Sequence, residues 1–436
     1  MTVSLVKQSQ FYFIFSFAVL TALGTLILKL PACYHGEGAL SWIDALFTAT
    51  SASCITGLTT VNIAEFTLLG QVVVMLLMQL GGIGFMTLTA SIIIWLGRGM
   101  SFGNTMMMSN LSDNFSMRRT EGLLKTVVSY VFAIEAAGAA ALTGIFLWEG
   151  QTGLGKSVWN GIFLAVSSFC NAGFAPMPDS MAGESLPVRL VVMTLIVLGG
   201  IGIYVIYDLT HFRRRQGDML KIHTRLVLIT SGVLIVAGAL GLRGFEYWSG
   251  HDKFTWMDAF FQSVSARTAG FYTVPVGELS QNSSSLMIVL MMIGGSPGSM
   301  AGGMKTTVVA LAFLALINTV TGNPRVLIAR REIPMSYVLK SFTIIVTFVL
   351  LVLAGAAVMN ATLGKPALDV LFEAASALST TGLSSGIAPG LPVSGKVLLI
   401  VYMFIGRIGP FTIFLFLLGR EKVSRISYPE ERIIIG

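Results

Sequence analysis

Charged residues are scarce in this chain of 436 residues. Asp, Glu, Lys and Arg make up 11% of it, whereas 54% of the residues are apolar and the mean hydropathy is +0.80. A soluble domain typically contains about 25% charged residues. The composition therefore excludes an ordinary soluble domain and predicts a protein embedded in a membrane.

Cysteine and histidine are also rare. The spacing of Cys33, Cys54 and Cys170 matches no metal motif, and the four histidines are scattered. We therefore predict neither a disulfide nor a zinc site. A membrane enzyme would need His, Asp, Glu or Cys clustered at membrane depth, so the sequence predicts no enzyme. Glycine-rich dinucleotide fingerprints are absent from the polar segments, so any control by a nucleotide would need a separate protein.

Long apolar runs are abundant, and eight of them approach or exceed the roughly 20 residues that cross a bilayer. They form four pairs. No small-residue cleavage site follows the first run, so we predict no cleavable secretory signal. The first members of the pairs cover about 11–30, 122–147, 224–243 and 338–360, and the second members cover about 69–96, 187–212, 285–316 and 394–418.

Between the two members of each pair stands one copy of a repeated pattern. Each copy begins with Asp or Asn, has an aromatic residue three positions later, and ends on a Gly followed by Leu or Phe. The third copy is one residue shorter than the others. Four related segments in one chain can surround one axis, which is the geometry of a pore made by a single polypeptide. The copies are 44–57, 160–173, 258–270 and 369–382.

Each copy predicts a short helix and a loop. The helix between Ser41 and Ser53 is too short to cross a bilayer, so it is a re-entrant segment. Such backbone is tolerated at membrane depth only where protein buries it or a watery cavity faces it. Four helix C-termini that converge favour a cation between them, and the loop carbonyls can replace the water shell of a bare ion.

The sequence thus predicts an all-α polytopic membrane protein with eight transmembrane helices. Four repeats of helix, re-entrant pore loop and helix would surround a pseudo-fourfold pore. The predicted divisions are repeat 1 at 1–97, repeat 2 at 98–212, repeat 3 with a broken inner helix at 213–320, repeat 4 at 321–420, and a cytoplasmic C-terminal tail at 421–436.

The net charge of +7 is distributed unevenly. On this topology, 18 of the 28 Lys and Arg residues fall on one side of the membrane, seven on the other, and three within it. The excess of positive charge on cytoplasmic segments places both termini in the cytoplasm. This distribution argues against a nucleic-acid partner, although some basic residues could also contact anionic lipid or a cytoplasmic partner.

The third inner helix contains a segment that disfavours helix. Each Gly costs about 1 kcal/mol and a Pro about 3 kcal/mol relative to Ala in a helix interior, so we expect a loop inside the membrane, below the four pore loops. We interpret it as a movable gate, the alternative being a passive kink. In the first two inner helices we expect the glycines only to allow close packing. The gate residues are Gly294, Gly295, Ser296, Pro297, Gly298, Ser299, Gly302 and Gly303.

Three basic residues fall within the membrane. Arg407, at the centre of the last inner helix, is predicted to face the ion path, where it slows cations and bonds the carbonyls of the gate loop. The alternative is a structural salt bridge. Lys305 could line the cytoplasmic vestibule or extend towards the interface. We expect Arg267 to point away from the ions and to brace its loop from behind.

These motifs together resemble the Trk/Ktr/HKT superfamily of potassium transporters over essentially the whole chain. The KtrB-type membrane subunits of bacterial Ktr systems are the most similar, since Trk-type subunits usually carry an additional N-terminal helical pair. The resemblance assigns the four filter glycines, and K⁺ binding, to the last residue of each repeated copy. The implied filter positions are Thr56, Gly57, Ala172, Gly173, Ala269, Gly270, Thr381 and Gly382.

The resemblance further implies potassium uptake across the bacterial cytoplasmic (inner) membrane as the translocating subunit of a Ktr-type system. It implies a homodimer, stimulation by Na⁺, and gating under a cytoplasmic ring of KtrA-like nucleotide-binding subunits that respond to ATP and ADP. No cofactor is expected in this chain. A sodium-permeable or poorly selective cation pathway is the alternative.

Plant relatives that favour sodium have Ser in place of the first filter Gly, where this chain has Gly57. We therefore predict that Gly57→Ser weakens discrimination between K⁺ and Na⁺, measured as competition by Na⁺ against K⁺ uptake. Unchanged selectivity in a folded variant would contradict the filter assignment.

Overall fold

The computed structural model describes residues 2–36, 38–96, 117–150, 153–212, 220–251, 254–322, 326–328 and 331–409. These residues form fourteen α-helices and one small antiparallel hairpin of β1 (Val326–Ile328) and β2 (Arg331–Ile333). The helices are α1 (Thr2–Leu28), α2 (Trp42–Ser53), α3 (Leu68–Leu96), α4 (Met117–Glu149), α5 (Leu154–Phe169), α6 (Leu186–Ile201), α7 (Ile203–Phe212), α8 (Ile222–Trp248), α9 (Trp256–Ala266), α10 (Gln281–Met292), α11 (Thr306–Val320), α12 (Met335–Leu363), α13 (Ala367–Ser379) and α14 (Val393–Ile408).

Long apolar helices form the outside of the molecule. Among the described residues, Val127–Glu149, Ile222–Trp248 and Met335–Leu363 are each long and apolar enough to cross a membrane, and the bent pair α6 and α7 would make a fourth. Large apolar side chains such as Ile229 and Leu350 are exposed on them. A helix surface of this kind is stable only against another apolar phase, because a soluble protein rarely exposes large contiguous apolar patches.

Four short helices, α2, α5, α9 and α13, occupy the interior. Helix α2 begins where the sequence predicts, at Ser41, whose side chain accepts a hydrogen bond from the backbone N of Asp44 at 3.1 Å. From Phe47 to Ser53 every residue of α2 is buried. Helix α9 begins with a reciprocal capping box of Thr255 and Asp258. These caps satisfy N–H groups that the first turn of a helix leaves without partners.

The same close contact recurs between the long helix before each short helix and the helix after it. A methyl group added at Gly24 of α1 would lie 2.7 Å from a methyl of Leu77 in α3, and one at Gly138 of α4 would lie 2.8 Å from Leu195 in α6. At Gly355 of α12 it would lie 2.5 Å from the Tyr402 ring. Small residues at these crossings let the helix backbones approach closely, which drives helix packing in membranes.

A second recurring contact fixes the short helices. A Cβ at Gly81 would lie 2.0 Å from the carbonyl oxygen of Ser53. The equivalent distances are 1.9 Å from Gly199 to the Phe169 oxygen and 2.0 Å from Gly406 to the Leu378 oxygen. Three of the four inner helices therefore touch the end of their own short helix through a glycine, which in the first two copies is the packing role predicted from the sequence.

Side-chain hydrogen bonds also join neighbouring repeats. In each bond one partner lies on an inner helix, ten residues before the glycine that touches the short helix. Lys396 donates to Asp44 at 2.6 Å, and Arg189 donates to Asp258 at 3.0 Å. In the third such bond, the indole N–H of Trp159 donates to Gln71 at 2.6 Å. The Lys396 bond connects the last described helix with the first short helix, so the chain closes on itself.

The structure departs from the sequence-based expectation in two places. The second inner helix does not run straight through 187–212, because the chain bends by 97° at Gly202, which has a φ of +88°. The β-hairpin was also not anticipated, and it packs Val326 and Ile333 against Val338 at the start of α12. Residues 410–436 lie outside the described residues, including the end of the last predicted span and the predicted tail at 421–436.

We expect Gly199→Ala to destabilise the protein by roughly 1–3 kcal/mol, because its methyl group would collide with the Phe169 carbonyl and force the helices apart. Gly232→Ala in α8 is the matched control, since nothing lies within 4 Å of an added Cβ there. The control should be neutral or more stable by about 0.5–1 kcal/mol. Thermal unfolding in detergent micelles measures both, and equal melting temperatures would contradict this packing.

Candidate functional site

The loops after the four short helices share one backbone conformation. Ile55, Asn171, Thr268 and Thr380 all have φ between +50° and +71°, and each stands two residues before the glycine that ends its repeated copy. Such a φ costs a residue other than Gly about 1–3 kcal/mol and persists only where the surroundings enforce it. Strain of this kind clusters at functional sites, and it occurs here four times at matched positions.

Backbone hydrogen bonds hold each strained turn in the same way. The backbone N of Thr56 donates to the Ser51 oxygen at 2.8 Å, and that of Thr381 donates to the Ser376 oxygen at 2.9 Å. The third copy is one residue shorter, yet Ala269 makes the corresponding bond to the Ser265 oxygen at 2.8 Å. The shorter copy therefore keeps the loop geometry of the others.

The four terminal glycines, Gly57, Gly173, Gly270 and Gly382, lie next to one another in a closed ring, hereafter the glycine ring. A Cβ at each would meet the carbonyl oxygen that precedes the next glycine. The distance from the added Cβ to the oxygen is 2.4 Å for Gly57 and Ala172, 2.6 Å for Gly173 and Ala269, 2.4 Å for Gly270 and Thr381, and 2.1 Å for Gly382 and Thr56.

Two constraints therefore select glycine at each position of the ring. All four glycines have φ between +72° and +94°, a region that side chains disfavour. Any Cβ would also overlap a backbone oxygen. The arrangement brings together all eight residues that the sequence predicts as filter positions, with four backbone carbonyls at the contacts between neighbouring loops.

A cavity of about 360 Å³ opens on one side of the glycine ring. It is lined by the glycines and by the residues that follow them, including Asn62, Tyr272 and Ser384. Among the described residues that line it, none has an acidic or basic side chain. Burial, and then the nearby negative charge of Asp179, raise the pKa of Tyr272, so its hydroxyl stays neutral at physiological pH.

Several buried hydroxyl groups at the ring find no hydrogen-bond partner among the described residues, among them those of Thr56, Thr268 and Thr380. Folded proteins rarely leave buried hydroxyls unpaired. Their position beside converging carbonyls suits a path that admits polar guests, either water or a cation.

The predicted gate segment is a loop between α10 and α11, as the sequence indicates. It touches residues that precede the fourth ring glycine, since a Cβ at Gly302 would lie 1.9 Å from the Thr380 hydroxyl and 2.8 Å from the Ser379 oxygen. The cavity is lined by residues that follow the ring glycines, so the loop lies on the opposite side of the ring. The loop is closed at its base by the bond from Gly294 N to Met304 O at 2.9 Å.

The bend at Gly202 provides the binding surface for this loop. It frees carbonyls at the end of α6, and the backbone N atoms of Ser296 and Met300 donate to Gly200 and Gly199 at 3.0 and 3.1 Å. In the other direction, Ile203 N donates to Gly298 O at 3.1 Å. The Gly-Gly-Ile-Gly sequence occurs equally in α3, where the helix continues, so no local signal could have revealed this contact.

Arg407 is fully buried and contacts the loop. Its Nη1 donates to Met300 O at 2.8 Å, and its Nη2 donates to Gly81 O at 3.3 Å. The predicted bond to a gate-loop carbonyl is therefore present. The guanidinium connects three elements, because it extends from α14 and reaches both the loop and the middle of α3.

The other two cations predicted to lie within the membrane also contact backbone oxygens of this region. Lys305 Nζ donates to Ala301 O at 2.7 Å. Arg267 Nη2 contacts the Ser231 hydroxyl at 3.2 Å and Gly294 O at 3.4 Å. Arg267 therefore lies behind its loop, between α8 and the base of the gate segment, as predicted.

The described residues contain no group of three His, Cys, Asp or Glu side chains that could hold a metal ion. The three cysteines are buried and unbridged. The polar groups at the ring are instead backbone carbonyls and hydroxyls, which suit a weakly bound monovalent cation better than a transition metal.

The comparison with protein families decides the class. The model of the TrkH family of cation transport proteins matches residues 17–423. The chain belongs to this family. Membership makes it a multi-pass membrane transporter and not an enzyme, in agreement with the sequence analysis.

Individual relatives match over nearly their whole length. The chain is 34% identical to the Ktr system potassium uptake protein B of Bacillus subtilis over 95% of this chain and 94% of that protein. It is 33% identical to the potassium/sodium uptake protein NtpJ of Enterococcus hirae over 96% and 95% of the two chains. The crystal structure of the potassium transporter TrkH from Vibrio parahaemolyticus shares the fold, with a TM-score of 0.74, 21% identity, and coverage of 96% of this chain and 86% of that chain.

We expect Arg407→Lys to raise cation flux, because lysine keeps the charge but cannot span both carbonyls. A hydrogen bond to a charged group contributes about 1.5–3 kcal/mol, so losing one should raise the open fraction about tenfold or more. Flux in proteoliposomes measures this, with Arg407→Ala alongside. If the lysine variant matched the wild type and only the alanine variant raised flux, the positive charge of Arg407, and not its two hydrogen bonds, would set the barrier to cations.

Proposed function

We propose that this protein takes up potassium across the cytoplasmic membrane as the translocating subunit of a Ktr-type system. The observation that carries the proposal is the glycine ring, in which four loops present their backbone carbonyls to one another. The relatives whose names state potassium uptake, at 33–34% identity over nearly the full chain, support the choice of ion.

In this proposal the ring is the selectivity filter. K⁺ loses its water in the cavity and is coordinated by the carbonyls of Thr56, Ala172, Ala269 and Thr381 and of the glycines that follow them. Carbonyl rings replace the hydration shell of an ion in this way. The C-terminal ends of α2, α5, α9 and α13 add their partial negative charge beneath the ring. A membrane potential of 100 mV supplies about 2.3 kcal/mol per charge, which suffices to drive uptake.

The architecture that we propose has eight transmembrane helices in four repeats around a pseudo-fourfold axis through the ring. The divisions are those expected from the sequence, at 1–97, 98–212, 213–320 and 321–420, with the tail at 421–436. The recurring glycine contacts and the cyclic order of the ring support this arrangement. The positive charge on the segments between repeats supports cytoplasmic termini.

The loop from Gly294 to Gly303 is the proposed gate, with Arg407 as its clasp and Lys305 at its base. In this proposal the bonds that Met300, Gly199 and Gly200 make correspond to a closed state. Opening would require the loop to leave these acceptors or to move together with α6 and α7. We propose that a cytoplasmic KtrA-like ring, responsive to ATP and ADP, supplies this force to a homodimer. The Ktr system names of the relatives support a partner subunit.

Sodium enters the proposal as an activator of uptake and not as the main transported ion. The name of the Enterococcus relative includes sodium, so competition by Na⁺ belongs in every flux measurement.

The decisive test is growth of a potassium-uptake-deficient bacterium at low external K⁺. We expect the chain to restore growth, more strongly with a matching regulatory subunit. Gly270→Ala should abolish the rescue, because its methyl would lie 2.4 Å from Thr381 O within the ring.

Gly232→Ala, which adds the same methyl group at an open position of α8, is the control and should rescue like the wild type. Absence of rescue by the wild-type chain, despite verified membrane insertion and the correct partner, would contradict potassium uptake. A direct measurement of Na⁺ flux would then follow.

A further inference from the structure

A buried carboxylate lies behind the fourth loop of the glycine ring. Glu373, in the middle of α13, is 0% exposed. Its Oε1 accepts hydrogen bonds from the Ser385 backbone N at 3.0 Å, from the Ser385 hydroxyl at 3.3 Å, and from the Ser384 hydroxyl. An ionisable side chain is costly at this depth and is a candidate functional group by default.

The partners of Glu373 belong to the segment that leaves the ring. Ser384 and Ser385 follow Gly382 by two and three residues, and both line the cavity. One carboxylate oxygen thus accepts hydrogen bonds from the irregular segment just after the ring glycine. Further bonds from the same helix hold the ring residues themselves. Gly382 N donates to Ser376 Oγ at 3.1 Å, and the Ser379 and Thr381 hydroxyls lie 2.8 Å apart.

The equivalent positions in the other copies differ. Each is the fifth residue of its copy: Thr48, Leu164 and Gln262. Gln262 also contacts the segment after its ring glycine, since its Nε2 donates to Val274 O at 2.7 Å. Leu164 cannot donate or accept a hydrogen bond, and the Thr48 hydroxyl has no partner among the described residues. Among the described residues, hydrogen bonds from this position hold the third and fourth loops only, with one bond to the third and three to the fourth.

We propose that Glu373 is a positioning residue that sets cation selectivity by fixing the segment from Thr381 to Ser385 against α13. This proposal rests on the proposed function of the ring as a filter. Discrimination between ions of similar size depends on where the carbonyl oxygens stand, and such sites tolerate displacements of only about 0.5 Å. Glu373 acts through the serines and does not itself contact the ion.

The role follows from accepted hydrogen bonds and therefore separates Glu373→Gln from Glu373→Ala. Glutamine keeps an oxygen at the Oε1 position and can accept from the same donors. Alanine removes that oxygen and leaves the Ser385 N–H without this acceptor, so the segment after the ring glycine is free to shift. The double substitution Ser384→Ala with Ser385→Ala removes the two hydroxyl donors from the cavity side.

The test is K⁺ uptake in proteoliposomes with competing Na⁺, expressed as the ratio of apparent affinities for the two ions. We expect Glu373→Ala to lower this ratio about tenfold, equivalent to about 1.4 kcal/mol. The double serine variant should lower it in the same direction by a smaller factor. Glu373→Gln should stay within about twofold of the wild type. Glu332→Ala, at an exposed carboxylate in β2, is the control and should leave the ratio unchanged.

An unaltered ratio in Glu373→Ala would overturn the proposal, as would equal losses in the glutamine and alanine variants, because charge and not hydrogen bonding would then matter. If the alanine variant fails to fold, the double serine variant decides the question, and an unchanged ratio there overturns the proposal. A wild-type chain that carries no K⁺ would instead contradict the proposed function itself.

Discussion

The close approach of four backbone segments at the glycine ring is the constraint on which the rest of the structure depends. Loops whose Cα atoms stand within contact distance of a neighbouring carbonyl leave no room for side chains. The four short helices must therefore end close to one point. The strained residue two positions before each ring glycine is the local conformational cost of this arrangement. Buried helices, glycine crossings and polar ties between units all serve to hold these four ends together.

Outside the ring, packing by glycine recurs in two sets of helix contacts. Gly24, Gly138 and Gly355 allow outer and inner helices to cross, while Gly81, Gly199 and Gly406 allow inner helices to touch the ends of the short helices. In a membrane, apolar area alone does not drive helices together, since lipid is equally apolar, so close backbone contact provides much of the attraction. The abundance of glycine in so apolar a chain has this physical explanation.

Several differences among the four repeated segments gather on the gate-loop side of the ring. The inner helix of the third repeat is broken, the second repeat bends at Gly202 next to the resulting loop, and the fourth repeat contributes Arg407. The buried Glu373 of the fourth repeat instead contacts residues on the cavity side. A pore of four identical units could conduct but would have no distinct element to move. The asymmetry concentrates buried charge and irregular backbone where the protein would regulate passage.

The sequence by itself determined the membrane class, the four repeated copies, the short helix from Ser41, and the interruption at Gly294–Gly303, because hydropathy, repetition and helix-breaking residues are local signals. It also singled out Arg407. The tertiary structure alone decided the cyclic order of the ring, the 97° bend at Gly202 and the partners of Glu373. The bend shows the reason: Gly-Gly-Ile-Gly continues as helix in α3 and breaks after α6, because only at the second site does a neighbouring loop supply hydrogen-bond partners for the freed carbonyls.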